Sequence, residues 1–137
     1  MYETFIQIPI SELRSGLAKL KRKVQVGQLR LVITCYGEIV GFLVPMADVD
    51  PEKGFPSVQV KEMPLTKFRD QVHESWEHLQ AGVDCIYLTF HTRPVVAFVA
   101  KRFAVHLPIP LSRDADKIST LINSSEIYTL EGKNANV

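Results

Sequence analysis

Apolar and polar positions along this chain first alternate, then fall at helical spacing, then run together. "TFIQIPI" (4–10) alternates side-chain types, which predicts a strand, and "SVQVKEMP" (57–64) does so again later. A hydroxyl residue follows the proline each time, Ser11 or Thr66, and is expected to cap a helix by accepting from free backbone N–H groups. In the first helix Leu13, Leu17, Leu20 and Val24 form one apolar stripe. The second keeps the stripe through Phe68, Val72, Trp76 and Leu79, with Ser75 at the place of Leu20. Gly27 and Gly82 follow, where a left-handed helix stop suits glycine. Runs rich in β-branched residues come next, "LRLVIT" (29–34) and "CIYLT" (85–89). After the polar turns "YGE" and "HTR" come "IVGFLV" (39–44) and "PVVAFV" (94–99), which predicts two hairpins. Because these runs are apolar almost throughout, both sheet faces are expected to be covered, one by helices and the other by the opposite copy.

The two halves are copies. Shifted by 55 positions, the chain registers on itself without a gap from Pro9 to Val44. Pro9, Arg14, Gln25, Gly27, Thr34, Val40 and Val44 meet Pro64, Arg69, Gln80, Gly82, Thr89, Val95 and Val99. Seven identities in 36 positions compare with about two expected by chance at average composition. Units of this size are marginal alone, so the copies are expected to pack on each other, with Leu13, Leu17, Phe68 and Val72 buried. The expected fold is α+β: two tandem β-α-β-β units, 1–50 and 58–106, joined by a linker at 51–57 and forming a pseudo-dimer within one chain. A tail at 107–137 follows, with a short helix carrying Ile118, Leu121 and Ile122 and a strand in "EIYTL".

Composition narrows the class without naming a partner. The chain is 46% hydrophobic and 23% charged, with net charge +1, as in a soluble globular protein. No charged-then-apolar leader follows Met1 and no apolar run is long enough for a bilayer, so no membrane association and a cytoplasmic location are expected. Cys35 and Cys85 occupy different places in the two copies and are read as small buried hydrophobes rather than a redox pair.

Little in the chain suggests catalysis. "HESWEH" (73–78) looks like a zinc-protease motif, but His73 and His78 are five residues apart and point about 140° away from each other on a helix. There is no nucleophile elbow, phosphate-binding glycine loop or cysteine pair with metal spacing, so neither an enzyme nor a cofactor or metal site is expected. The charge distribution says more. Arg14, Lys19, Lys21, Arg22, Lys23 and Arg30 face only Glu12 in copy one, while the matching segment of copy two has Lys67 and Arg69 against Asp70, Glu74, Glu77 and Asp84. A basic helix face can follow a phosphate backbone, or it can be an ordinary solvated face.

The order strand, "ISELRSGL" helix, glycine, "LVIT" strand, turn, "VGFLVP" strand resembles the Phd/YefM antitoxins of bacterial toxin–antitoxin systems. Copy one matches at Ser11, Glu12, Arg14, Leu17, Gly27, Ile33, Thr34, Gly37, Leu43, Val44 and Pro45, and copy two through Thr66, Arg69, Val72, Gly82, Thr89, Val95, Ala97 and Val99. The resemblance covers residues 4 to 106. It implies a dimeric fold, operator DNA as partner, transcriptional regulation, and a C-terminal segment that silences a toxin protein. Carried over by position, Arg14 and Arg69 match the family's DNA-contacting helix arginine, with Lys19, Lys21, Arg22 and Lys23 beside the first. Ile118, Leu121, Ile122, Ile127 and Tyr128 lie where the toxin-binding segment would be. There are two departures. The family's hairpin arginine is Cys35 in one copy and Phe90 in the other, and two units stand in one chain, which leaves a homodimer of chains as a further level of assembly. A second reading stays open beside the regulator: a protein-interaction module with the antitoxin dimer fold and no DNA binding.

Overall fold

Strand β1 (Thr4–Pro9) runs directly into a broken helix, α1 (Ile10–Ser15) and α2 (Leu17–Gln25), and then into the hairpin β2 (Leu29–Cys35) and β3 (Glu38–Pro45). After 3-10 segments at Met46–Val49 and Pro51–Lys53 the same order returns: β4 (Val60–Pro64), α3 (Leu65–Asp70), α4 (Val72–Gln80), β5 (Cys85–Phe90) and β6 (Arg93–Val99). A 3-10 segment Lys101–His106 and a short strand β7 (Ile127–Thr129) follow. This computed structural model describes residues 4–27 and 29–107 and the backbone of 127–129. The expected helix carrying Ile118, Leu121 and Ile122 lies outside the described residues. The fold is mixed α+β, and no helix among the described residues is long and apolar enough to cross a membrane.

The strands form one sheet in the order β4-β5-β6-β3-β2-β1-β7. Its register follows the 55-residue shift. Parallel pairing sets Pro9 beside Thr34 and Pro64 beside Thr89. Both hairpins slip by one residue at equivalent points, Ile33/Thr34 and Leu88/Thr89. Where the copies meet, Leu43 pairs with its own counterpart Phe98, while Phe42 pairs with Val99 and Val44 with Ala97. Antiparallel pairing of equivalent strands about equivalent residues is an approximate twofold axis through Leu43 and Phe98.

The core has two layers. On the helix-bearing face Leu13, Leu17 and Val24 pack in one cluster with Phe68, Val72 and Leu79, over Leu31, Ile33, Leu43, Ile86, Leu88 and Phe98. Leu13, Phe68 and Val72 have 0% exposure and Leu17 has 5%. The Phe68 and Phe98 rings are 5.1 Å apart. The opposite face is covered differently from the expectation. The copies join edge to edge, so neither can roof the other. Val49 and Phe55 from the connecting segment, with Phe103 and Leu107 after β6, cover Val32, Phe42, Val44, Cys85 and Val99 instead.

Local details correct the reading of the caps. The helices start at Ile10 and Leu65, directly after extended Pro9 and Pro64, and no side-chain cap bond is made. Burying Ile10 and Leu65 draws each helix start ahead of Ser11 and Thr66, which sit exposed in the first turn. Each helix is also interrupted once, at Gly16 and at its counterpart Gln71. Since only one of these is glycine, the break follows from packing Leu13 and Leu17, or Phe68 and Val72, into one core. Gly82 has φ +119°, as a left-handed stop requires. Gly27 does not. It is needed for space, because a Cβ there would lie 2.8 Å from the Lys23 carbonyl oxygen. In copy two the buried stripe position is Ser75, whose hydroxyl donates to the Gln71 carbonyl at 2.8 Å, and Trp76 is only half-buried.

An Arg–Asp pin ties each hairpin to the 3-10 segment behind it, with its polarity reversed between copies. Arg30 on β2 donates Nε and Nη2 to Asp48 at 2.7 and 2.9 Å. In copy two the acid precedes the strand: Asp84 accepts from Arg102 Nη2 at 2.7 Å and from the backbone N–H groups of Val58 and Gln59 at 2.6 and 3.0 Å. Burial alone would raise the Asp84 carboxyl, but the Val58 and Gln59 N–H groups and the Arg102 guanidinium outweigh it and hold its pKa below 3.8. Arg30 is therefore structural, and it leaves the basic surface.

Candidate functional site

Parallel pairing brings the C-terminal end of β1 beside the hairpin that follows, so each helix start lies against its own hairpin tip. The pseudo-twofold then sets the second helix of the opposite copy against the same place. Two equivalent clefts result. The first, of about 270 Å³, is lined by Pro9, Ile10, Ser11, Arg14, Thr34, Cys35 and Tyr36 of copy one and by His73 of copy two. The second, of about 140 Å³, is lined by Leu65, Thr66, Arg69 and Phe90 of copy two and by Leu17, Ala18 and Lys21 of copy one. Shifting Ile10, Ser11, Arg14 and Cys35 by 55 gives Leu65, Thr66, Arg69 and Phe90, and His73 shifted back gives Ala18.

Similar backbones carry different chemistry. In the first cleft the Cys35 Sγ lies 3.8 Å from His73 Nε2, and Arg14 stands exposed with no ion pair among the described residues. In the second, the Lys21 Nζ sits 4.6 Å above the Phe90 ring, a cation–π contact that half-buries the lysine. Arg69 faces its neighbour Asp70 at 3.6 Å, and both are exposed. Such an exposed ion pair contributes about 0–1 kcal/mol. His73 stands exposed on α4. Its approach to Cys35 depends on the crossing of two copies, which no local spacing could reveal.

Both hairpins turn through two residues with positive φ, as right-twisted strands prefer. Tyr36 and Gly37 have φ 51° and 82°, and His91 and Thr92 have φ 53° and 66°. Tyr36 is fully exposed and Phe90 is 48% exposed. Cys85 is enclosed in the core, and burial pushes its thiol up to about 11. Both cysteines are free thiols. No cluster of three or more metal-binding side chains occurs among the described residues.

The remaining candidate DNA-contacting residues lie on α2. At about 100° per residue, Lys19 and Arg22 lie opposite the buried Leu17 and Val24, with Lys23 on the flank of the same ridge. All three are exposed and without an ion pair among the described residues. Lys21 lies off this ridge, over Phe90. Of the tail residues singled out for toxin contact, Ile127 and Tyr128 lie in β7, which pairs antiparallel with β1 through Thr4↔Thr129, Phe5↔Tyr128 and Ile6↔Ile127. Ile118, Leu121 and Ile122 lie outside the described residues. Comparison of the chain with protein-family models, curated proteins and solved structures finds no significant match.

Proposed function

We propose that this chain is an antitoxin-like, DNA-binding transcriptional regulator, in which two Phd/YefM-like units supply within one polypeptide the twofold that such proteins obtain by dimerising. The observation that carries this reading is the exposed basic ridge Lys19–Arg22–Lys23, without an ion pair among the described residues, on the same broken helix as exposed Arg14, mounted on a sheet whose central strands pair about Leu43 and Phe98. Unpaired cations on a rigid helix suit a phosphate backbone, because contact releases condensed counterions without breaking internal pairs. The tail, in this reading, occupies the toxin protein.

The interaction-module reading has its own support. The hairpin positions where an arginine is expected hold Cys35 and Phe90, and Phe90 draws Lys21 onto its ring. A titration of the full chain against the DNA upstream of its own reading frame separates the two. A regulator binds that DNA more tightly than a random duplex, with affinity falling by about three to four powers of the salt concentration if four phosphates are neutralised. Equal affinity for the two duplexes favours the interaction module.

A further inference from the structure

The pseudo-twofold relates the α2 ridge to a ridge on α4, and their charges oppose at two of three positions. Shifted by 55, Lys19, Arg22 and Lys23 become Glu74, Glu77 and His78. Glu74 and Glu77 are exposed, lie opposite the buried Val72 and Leu79, and make no ion pair among the described residues. Both helices lie on the same face of the sheet, so one face displays a basic ridge on one side of the pseudo-axis and an acidic ridge on the other.

We propose that this face docks on a second copy of the chain, basic ridge on acidic ridge, in a closed dimer. The geometry follows from symmetry. If two such faces meet about a twofold that lies in the plane between them and runs perpendicular to the line from α2 to α4, each copy's α2 is set over the other's α4. Both contacts are then satisfied at once, and the interface is self-complementary. A twofold along that line instead would put like charge on like. One exposed ion pair is weak, so docking depends on Lys19, Arg22, Glu74 and Glu77 of each copy acting together on rigid helices. It is correspondingly sensitive to salt. The inference does not rest on DNA binding. The two partners compete for the α2 ridge, so a second copy masks the surface that the proposed regulator would use.

Sedimentation of the full chain without DNA tests it. At about 20 mM salt the chain sediments as a dimer at high protein concentration, and at about 500 mM its dissociation constant rises about tenfold or more. K19E/R22E, with two acidic ridges, and E74K/E77K, with two basic ones, are each monomeric at low salt. Mixed in equal amounts they pair, and the charge-swapped chain K19E/R22E/E74K/E77K dimerises again, which also shows that the variants fold. A wild-type chain that stays monomeric at low salt overturns the proposal. So do reversals that leave dimerisation intact, or a mixture and swapped chain that fail to associate.

Discussion

Copy one pins its hairpin with an arginine on β2 and an aspartate behind it, Arg30 and Asp48, while copy two does the same with Asp84 and Arg102 in exchanged places. The same contrast runs through the clefts: Cys35 and His73 meet in one, and Phe90 and Lys21 in the other. It runs through the outward ridges too, where Lys19 and Arg22 stand opposite Glu74 and Glu77. Strand register, turn conformation and helix breaks nevertheless agree between copies. A backbone of this kind is specified by its inward apolar positions and by the pairing of equivalent strands. The outward positions can diverge in sign as long as each buried charge keeps a partner.

The most damaging way to break the comparison is at the pseudo-axis. Phe98 has no exposure and packs against Phe68 with the rings tilted by 60°. Phe98→Ala is expected to cost about 3–5 kcal/mol, and Leu43→Ala about 2–5 kcal/mol, measured by denaturant unfolding. Because both residues belong to one shared core, each variant should keep a single transition. Two separated transitions would mean that the copies unfold independently.

The two pins sharpen it next. Asp48→Ala removes the carboxylate that accepts from the buried Arg30 guanidinium at 2.7 Å, and breaking a buried pair from one side is expected to cost about 3–5 kcal/mol. Asp84 separates itself by pH. Its pKa is lower in the folded chain than the ordinary 3.8. Its contribution is therefore full above the unfolded value and is lost as pH falls through the folded one. Asp84→Asn should flatten the acid side of the stability profile below about pH 4, and an unchanged acid limb would show that the carboxylate is not held down.

The turns give a smaller, opposite effect. Thr92 is β-branched with φ 66°, whereas its counterpart Gly37 occupies the same region with φ 82°. Thr92→Gly should stabilise by about 1 kcal/mol, and Gly37→Thr should destabilise by a similar amount. Thermal melts of the two variants should move in opposite directions. Smallest is the difference between the helix arginines. If DNA is bound, Arg14→Ala should lower the salt slope by roughly one unit, and Arg69→Ala by less, because Arg69 already faces Asp70. Equal losses would show that the halves act as a symmetric pair despite their charges.

The amino-acid sequence alone determined the repeat, the β-α-β-β order, and the burial of Leu13, Leu17, Phe68 and Val72. These rest on the spacing of apolar residues along one segment and on a register visible by sliding the chain on itself. It also marked Arg14, Lys19, Lys21, Arg22, Lys23 and Arg30 as a basic segment, from charge count alone, without separating Lys21, which sits over Phe90, or Arg30, which pairs with Asp48. Only the tertiary structure decided how the copies meet. Pairing β3 with β6 about Leu43 and Phe98 is a long-range choice between equivalent strands. From it follow the roof supplied by Phe55 and Phe103, the approach of His73 to Cys35, and the removal of Arg30 from the surface. The helix starts at Ile10 and Leu65 were likewise set by the core. Burying those side chains prevailed over the hydroxyl caps that local chemistry favours, because each burial is worth about 1.5–3 kcal/mol against about 1 kcal/mol for a cap.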